Sequence, residues 1–179
     1  MKEENCTDMH IVRRSEWSLY RAADGLPALP LPTDYMVYTH TFGTACFDRD
    51  SCVSIIREIQ NYHMAKAFNY SEIGYNFLIG GDGIVYEGRG WHTKGVFKAD
   101  IHRDGIGVAF IGKLSSEGDC NGFTYAAAAS AHKLLNCAIG NGFLRTQNQS
   151  GSVLPLLINP SLKEYILNPA ALRCTVLIS

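Results

Sequence analysis

The sequence predicts one α/β domain in which helices flank a mixed β-sheet. Its 179 residues are enough for a single domain with a complete core. Runs rich in β-forming residues alternate with two segments of helical periodicity, in the order strand, helix, hairpin, strand, helix. A hydrophobic content of 46% against 18% charged residues is typical of a globular protein. We assign residues 1–9 to an N-terminal segment and residues 10–179 to the domain.

The charge balance argues against several classes of function. Sixteen Lys and Arg against seventeen Asp and Glu give a net charge of −1, so the chain lacks the excess of basic residues that non-specific nucleic-acid binding requires. Apolar runs fall short of the roughly 18 residues of a membrane span. The first five residues include three charged side chains, Lys2, Glu3 and Glu4, where a signal peptide would be apolar. We therefore expect any targeting segment or membrane anchor to lie upstream.

The first strand follows an extended arm. Three prolines in residues 26–32 rule out a helix or a central strand, because proline fixes φ and lacks an amide donor. The arm leads into residues 35–41, a β-rich run that predicts a strand.

Apolar residues recur at helical spacing over residues 53–67 and predict a helix. Asp50 or Ser51, just before this range, is the expected N-cap. Two β-rich runs, 75–80 and 84–87, then flank Gly-Asp-Gly and predict a hairpin. The apolar, glycine-bounded run 106–112 predicts a buried strand.

An alanine-rich helix is predicted over residues 124–139, with Gly140 as its stop. Its small residues suggest close packing on the sheet. The pattern weakens beyond Phe143, although a short helix over 161–167 fits the sequence.

Cysteines and sequons favour an oxidising, extracellular setting. The six cysteines allow 15 pairings, among which Cys46–Cys52 is the best local candidate. Sequons begin at Asn5, Asn69 and Asn148 and predict N-glycosylation. A cytosolic protein with six buried thiols is the alternative on these features.

Residues 73–83 and 85–91 together resemble the peptidoglycan recognition proteins. Residues 11–17, 59–64 and 106–112 agree with that family in the same order, so the resemblance covers about residues 10–140. It implies the fold of phage-type N-acetylmuramoyl-L-alanine amidases, with a divergent C-terminal region over about 143–179.

The resemblance also implies how an enzyme of this family would work. Catalytic members hold zinc with two His and one Cys, and a Tyr assists. The first His position falls on Thr39, and His40 should point to the other side of its strand. No His follows His132, and the Cys position falls nearest to Asn159. Only Tyr75 is retained, so we expect no metal, no cofactor and no hydrolysis.

The resemblance places a ligand groove around two further motifs. Members that bind diaminopimelate use an Arg, retained here as Arg89, whose planar guanidinium can bind a carboxylate through two hydrogen bonds. Their Gly-Trp pair is replaced by Asn69-Tyr70, and a glycan on Asn69 would sit at the groove mouth. Two alternatives stay open: Arg89 pairs with a nearby acid such as Glu87, and Trp91 is a core residue rather than a stacking surface.

The family's second disulfide maps onto Cys6–Cys137, which leaves Cys120 and Cys174 as a possible third pair.

Three functional classes follow from the resemblance. The favoured one is a non-catalytic receptor ectodomain that senses a bacterial muropeptide in a heterodimer with another peptidoglycan recognition domain. The expected contact surface lies around His63, Tyr70, Arg89 and Trp91. The alternatives are a receptor that binds peptidoglycan directly and a zinc amidase.

Overall fold

A computed structural model describes residues 6, 9–66, 68–96, 104–113 and 123–145, and the backbone of 156–157. The described residues form the predicted mixed sheet with helices on its faces. Its elements are β1 (Ile11–Val12), α1 (Arg14–Trp17), β2 (Met36–His40), α2 (Arg49–Met64), β3 (Phe77–Ile79), β4 (Val85–Glu87), β5 (Ile106–Phe110), α3 (Tyr125–Gly140) and β6 (Leu156–Leu157).

The sheet has the strand order β1-β4-β3-β5-β2-β6 within the described ranges. Only β3 and β4 pair antiparallel among these strands, which confirms the predicted hairpin. Its turn closes with a 3.0 Å bond from the Gly83 amide to the Gly80 carbonyl. Gly83 has a φ of 78°, a conformation that glycine adopts without strain.

Each sheet face carries its own apolar core. On one face, β2, β3 and β5 pack against α3 through Met36, Tyr38, Phe77, Val108, Ala131 and Leu134. The other face packs against α1 and α2 through Trp17, Ile56, Leu78, Tyr86 and Ala109. Because side chains alternate along a strand, Thr39 lies on the α2 face, opposite Tyr38.

Helix α2 begins earlier than the sequence predicts. Its N-cap is Asp48, whose carboxylate accepts the Ser51 amide at 2.9 Å, so the prediction of Asp50 or Ser51 is wrong. Asp48 has the extended backbone that an N-cap requires, whereas the next residues are already helical. The helix ends at Met64 because Ala65 is extended, with ψ at 161°.

Helix α3 runs past the predicted stop. Thr124 caps it, with the side chain accepting the Ala127 amide. Gly140 lies within the helix, and the chain leaves it at Asn141 and Gly142, where Gly142 takes a φ of 72°. The left-handed residue that ends a helix stands just beyond it, so the second glycine is the stop.

The proline-rich arm forms neither a helix nor a strand of the sheet, as predicted, and it bends at residues 31 and 32. The Leu29 amide donates to His92 and the Thr33 amide to Phe143, at 2.8 and 2.9 Å. The arm thus joins the segment after β4 to the segment after α3. The helix proposed for 161–167 lies outside the described residues.

The described residues contain two disulfides, Cys46–Cys52 and Cys6–Cys137. The first holds the loop before α2, and the second ties the N-terminal segment to α3. Cys120 and Cys174 lie outside the described residues. In the described part of the chain, no helix combines the length and apolarity needed to cross a membrane.

Candidate functional site

A ring cluster gathers where α2 ends and β3 begins. His63 stands at its centre, with ring centroids 5.4 Å from Tyr75, 5.5 Å from Tyr70 and 5.9 Å from Phe68. Tyr62 packs edge-on against Phe68 at 5.1 Å. The structure therefore brings together two residues of the predicted contact surface, His63 and Tyr70, and places Tyr75, the residue retained from the family's zinc site, beside them.

Two bonds at His63 hold the chain that joins α2 to β3. Its carbonyl accepts the Tyr70 amide and its Nδ1 accepts the Gly74 amide, both at 3.0 Å. Burial, followed by the positive charge of Arg89, holds the pKa of His63 below its ordinary value. An acceptor role for Nδ1 requires the neutral ring with its proton on Nε2.

Tyr75 and Asn69 occupy contrasting positions in this region. Burial raises the pKa of Tyr75 above its ordinary value, and Tyr70 adds to the effect, so Tyr75 stays a neutral phenol. Asn69 is exposed with a φ of 52°, and its amide donates to the Ala65 carbonyl at 2.7 Å. Its side chain is therefore accessible at the surface.

Arg89 is committed to the main chain. Its guanidinium donates to the carbonyls of Ile73, Lys94 and Glu72 at 2.7, 2.8 and 3.3 Å, and the residue is only 9% exposed. The suggested pairing with Glu87 is wrong, because Arg89 donates to these carbonyls while the Glu87 carboxylate pairs with Arg13 at 3.5 Å and accepts the Arg14 amide at 3.0 Å. Three of the five N–H donors of Arg89 thus serve to hold the fold.

Behind Arg89 lies a buried network that sequence analysis does not predict. The Glu72 carboxylate, 2% exposed, pairs with Arg14 and accepts bonds from Gln60 Nε2 at 2.6 Å and the Ile73 amide at 2.8 Å. It joins α1, α2 and the start of the β3 region. No short-range pattern predicts it, since Arg14 is 58 residues away from Glu72.

Trp91 belongs to the core. It is 2% exposed and packs between Phe77 and Phe143, with centroids at 4.4 and 4.9 Å. The core alternative is therefore correct, and Trp91 is not a stacking surface.

Tyr62 and Phe68 are surface residues that were not predicted from the sequence to belong to the site. They are 61% and 43% exposed. Both lie within two residues of His63 or Tyr70 in the sequence, and this proximity was the signal by which they could have been identified. Tyr62 also lines an open cavity of about 480 Å³ between α2 and the loop after β2, together with Thr41, Gly43, Thr44, Ile55, Glu58 and Ile59.

The residues at the zinc position do not suit the metal. Thr39 offers a neutral hydroxyl, a poor zinc ligand, and Asn159 lies outside the described residues. Over the described ranges, no three His, Cys, Asp or Glu side chains are grouped so as to bind an ion. We derive no zinc chemistry for this chain.

Sequence comparison identifies relatives over most of the chain. The profile of the N-acetylmuramoyl-L-alanine amidase family matches residues 29–157. The chain is 39% identical to peptidoglycan-recognition protein SC2 of Drosophila simulans over 132 residues, 74% of this chain and 68% of that protein. It is 35% identical to human peptidoglycan recognition protein 3 over 155 residues, 80% of this chain but only 43% of the human protein's length.

Solved structures agree. One is a complex of tracheal cytotoxin with the ectodomains of PGRP-LCa and PGRP-LCx. The match has 33% identity and a TM-score of 0.70, and it covers 78% of this chain and 81% of the matched chain. Another is PGRP-LE in complex with tracheal cytotoxin, a monomeric diaminopimelic acid-type peptidoglycan. This match has 34% identity and a TM-score of 0.69, and it covers 76% of this chain and 77% of the PGRP-LE chain. The chain therefore belongs to the N-acetylmuramoyl-L-alanine amidase family, and within it to the peptidoglycan recognition proteins.

Proposed function

We propose that this domain is a non-catalytic ectodomain of an innate immune receptor. It senses diaminopimelate-type muropeptides by ligand-dependent association with another peptidoglycan recognition domain. The partner holds the peptide stem in its own groove, and this domain contacts the exposed part of the ligand and the partner's rim. Ligand then acts as a switch, because it supplies contacts that neither protein surface provides alone.

The state of Arg89 is the observation that carries this proposal. In relatives that bind diaminopimelate, the resemblance assigns this arginine to the ligand's extra carboxylate. Here most of its donors are spent on three main-chain carbonyls, and Asn69-Tyr70 replaces the Gly-Trp wall. A complex of two related ectodomains with tracheal cytotoxin gives the precedent for sharing a ligand.

The exposed rings supply a surface for the partner. Tyr62 and Phe68 stand out from the ring cluster, and the 480 Å³ cavity opens beside them. Aromatic residues are enriched at protein interfaces, and a net charge of −1 avoids strong repulsion of a second domain.

The proposed setting is the outer side of a cell membrane. We propose a single-pass receptor with its membrane anchor upstream, most like the insect LC-type receptor, isoform a. Bridged cysteines suit an oxidising compartment. N-glycans at Asn5, Asn69 and Asn148 complete the proposal, and Asn69 is exposed.

Direct binding by this domain alone is the second candidate. It is favoured by the two N–H groups that Arg89 keeps free of main-chain bonds. Calorimetry decides between the two. A monomeric muropeptide titrated into this domain alone should give no heat, whereas titration into a mixture with a partner domain should give saturable binding. Micromolar or tighter binding by this domain alone would establish the second candidate instead.

We predict that the purified domain holds no stoichiometric zinc and releases no stem peptide from peptidoglycan. The reason is the donor set, since Thr39 stands in the first ligand position and no His follows His132. Elemental analysis and a peptide-release assay check this. A matched control is an active amidase of the family under the same conditions. One zinc per chain, or measurable release, would contradict the prediction.

A further inference from the structure

Five described groups from three parts of the chain face the imidazole of His63. They are Tyr62 on α2, then Phe68, Tyr70 and Tyr75 on the α2–β3 connection (the chain between Met64 and Phe77), and Arg89 after β4. Of the five, only Arg89 is charged. The connection's own carboxylate, Glu72, is taken by Arg14 and Gln60, and its Lys66 is exposed. Among the described residues, a protonated imidazole would therefore meet a cation and no available anion.

The hydrogen bond at Nδ1 has one direction only. Nδ1 accepts the Gly74 amide, and in the protonated ring Nδ1 itself carries a hydrogen. Two donors would then face each other at the present 3.0 Å. Gly74 is buried, so its amide would lose its partner without gaining water.

Gly74 has little freedom to move away. Its carbonyl accepts the Val96 amide at 2.7 Å, and a Cβ placed on it would overlap the Val96 carbonyl oxygen. The connection is thus fixed at Gly74 by Val96 and His63, and at Tyr70 by the His63 carbonyl. When the Nδ1 bond breaks, Gly74 loses its link to α2, while the bond from Gln60 to Glu72 still ties the connection to that helix.

We propose that His63 is an acid-sensitive latch. A proton added to Nδ1 breaks the bond from Gly74 and loosens the α2–β3 connection at that point. Its effect on ligand-dependent association rests on the proposed function, whereas the latch itself is a property of the domain alone. Loosened at Gly74, the connection holds Tyr70 and Phe68 less firmly against the His63 ring, so association weakens in acid.

The low pKa of His63 agrees with this geometry and sets its sign. A histidine whose folded pKa lies below its unfolded pKa of about 6.5 destabilises the fold as pH falls below that value. The latch is therefore closed at neutral pH and opens in acid.

The test follows the Gly74 amide by NMR in the whole 179-residue chain, from about pH 8 to about pH 5. After correction for intrinsic exchange, protection at Gly74 should fall about tenfold for each pH unit below about 6.5, the pKa of the released imidazole, and level off below the lower folded-state pKa of His63. His63→Asn keeps an acceptor near the Nδ1 position and cannot be protonated in this range, so its Gly74 protection should not depend on pH. His63→Gln is a second variant that does not titrate.

His40→Asn is the matched control, because His40 is also half-buried with a pKa lowered mainly by burial but lies on β2. It should keep the wild-type response at Gly74. The latch is overturned by a His63 that titrates while Gly74 protection stays constant, or by equal pH dependence in His63→Asn. A parallel arm compares muropeptide-dependent association at neutral and acidic pH. Absence of association at every pH would count against the proposed function, while Gly74 still decides the latch.

Discussion

Replacing Asn76 with alanine is expected to lower the free energy of unfolding by about 3–5 kcal/mol. Its side chain is fully buried, with Nδ2 donating to the carbonyls of Gly90 and Thr93 at 2.7 and 2.8 Å. Its Oδ1 accepts the Gly107 amide at 2.8 Å. The substitution leaves three main-chain groups without this partner, two in the segment after β4 and one within β5, and it also opens a cavity. Urea unfolding of both proteins measures the loss.

Asn61→Ala is the control for Asn76. Asn61 is an exposed residue on α2 that accepts one bond, from the Tyr20 hydroxyl at 2.7 Å. Removing it should change the stability by no more than about 0.5 kcal/mol. If the two alanine variants lost stability equally, the bonds of Asn76 would not be what holds these segments together.

Replacing Glu72 with glutamine should cost about 3–5 kcal/mol, because it breaks a buried ion pair and leaves a buried arginine without its anion. The side chains of Glu72 and Arg14 are 3% and 13% exposed. Glutamine has nearly the same shape, but it brings a donor to a position surrounded by donors, from Arg14, Gln60 and the Ile73 amide. Thermal and urea unfolding should both show the loss.

Glu16→Gln is the matched comparison for Glu72. Glu16 also pairs with an arginine, Arg49 at 3.1 Å, but both side chains are nearly half exposed. Water screens such a pair, so its loss should be far smaller than that of Glu72. Similar losses in the two glutamine variants would show that burial does not set the strength of the Glu72 pair.

The repeating parts of the fold could be predicted because they rest on local patterns. The hairpin follows from Asp82-Gly83 between β-rich runs, and the buried strand over Ile106–Phe110 from a continuous apolar run. The exact ends of the helices were harder to predict, because neighbouring residues suit the same capping position. Both Asp48 and Asp50 can cap a helix, and Gly140 and Gly142 can both end one, so only the backbone conformation separates them.

The candidate site was less predictable because its key contacts are long-range. His63 and Tyr70 were expected near the ligand surface, and the structure does bring them together. Whether Trp91 is surface or core depends on Phe143, which arrives from beyond α3. The commitment of Arg89 to carbonyls depends on how the chain before β3 folds over it. None of these contacts produces a periodic sequence pattern from which it could be predicted.

Sedimentation velocity of this domain mixed with a peptidoglycan recognition domain that binds tracheal cytotoxin is the most direct test of the proposed function. Each protein is run alone, then the mixture without ligand, then the mixture with a monomeric diaminopimelate-type muropeptide. We predict monomers in the first three samples and a heterodimer only in the last. A mixture that stays monomeric with ligand bound to the partner, or a heterodimer that forms equally without ligand, would contradict the account.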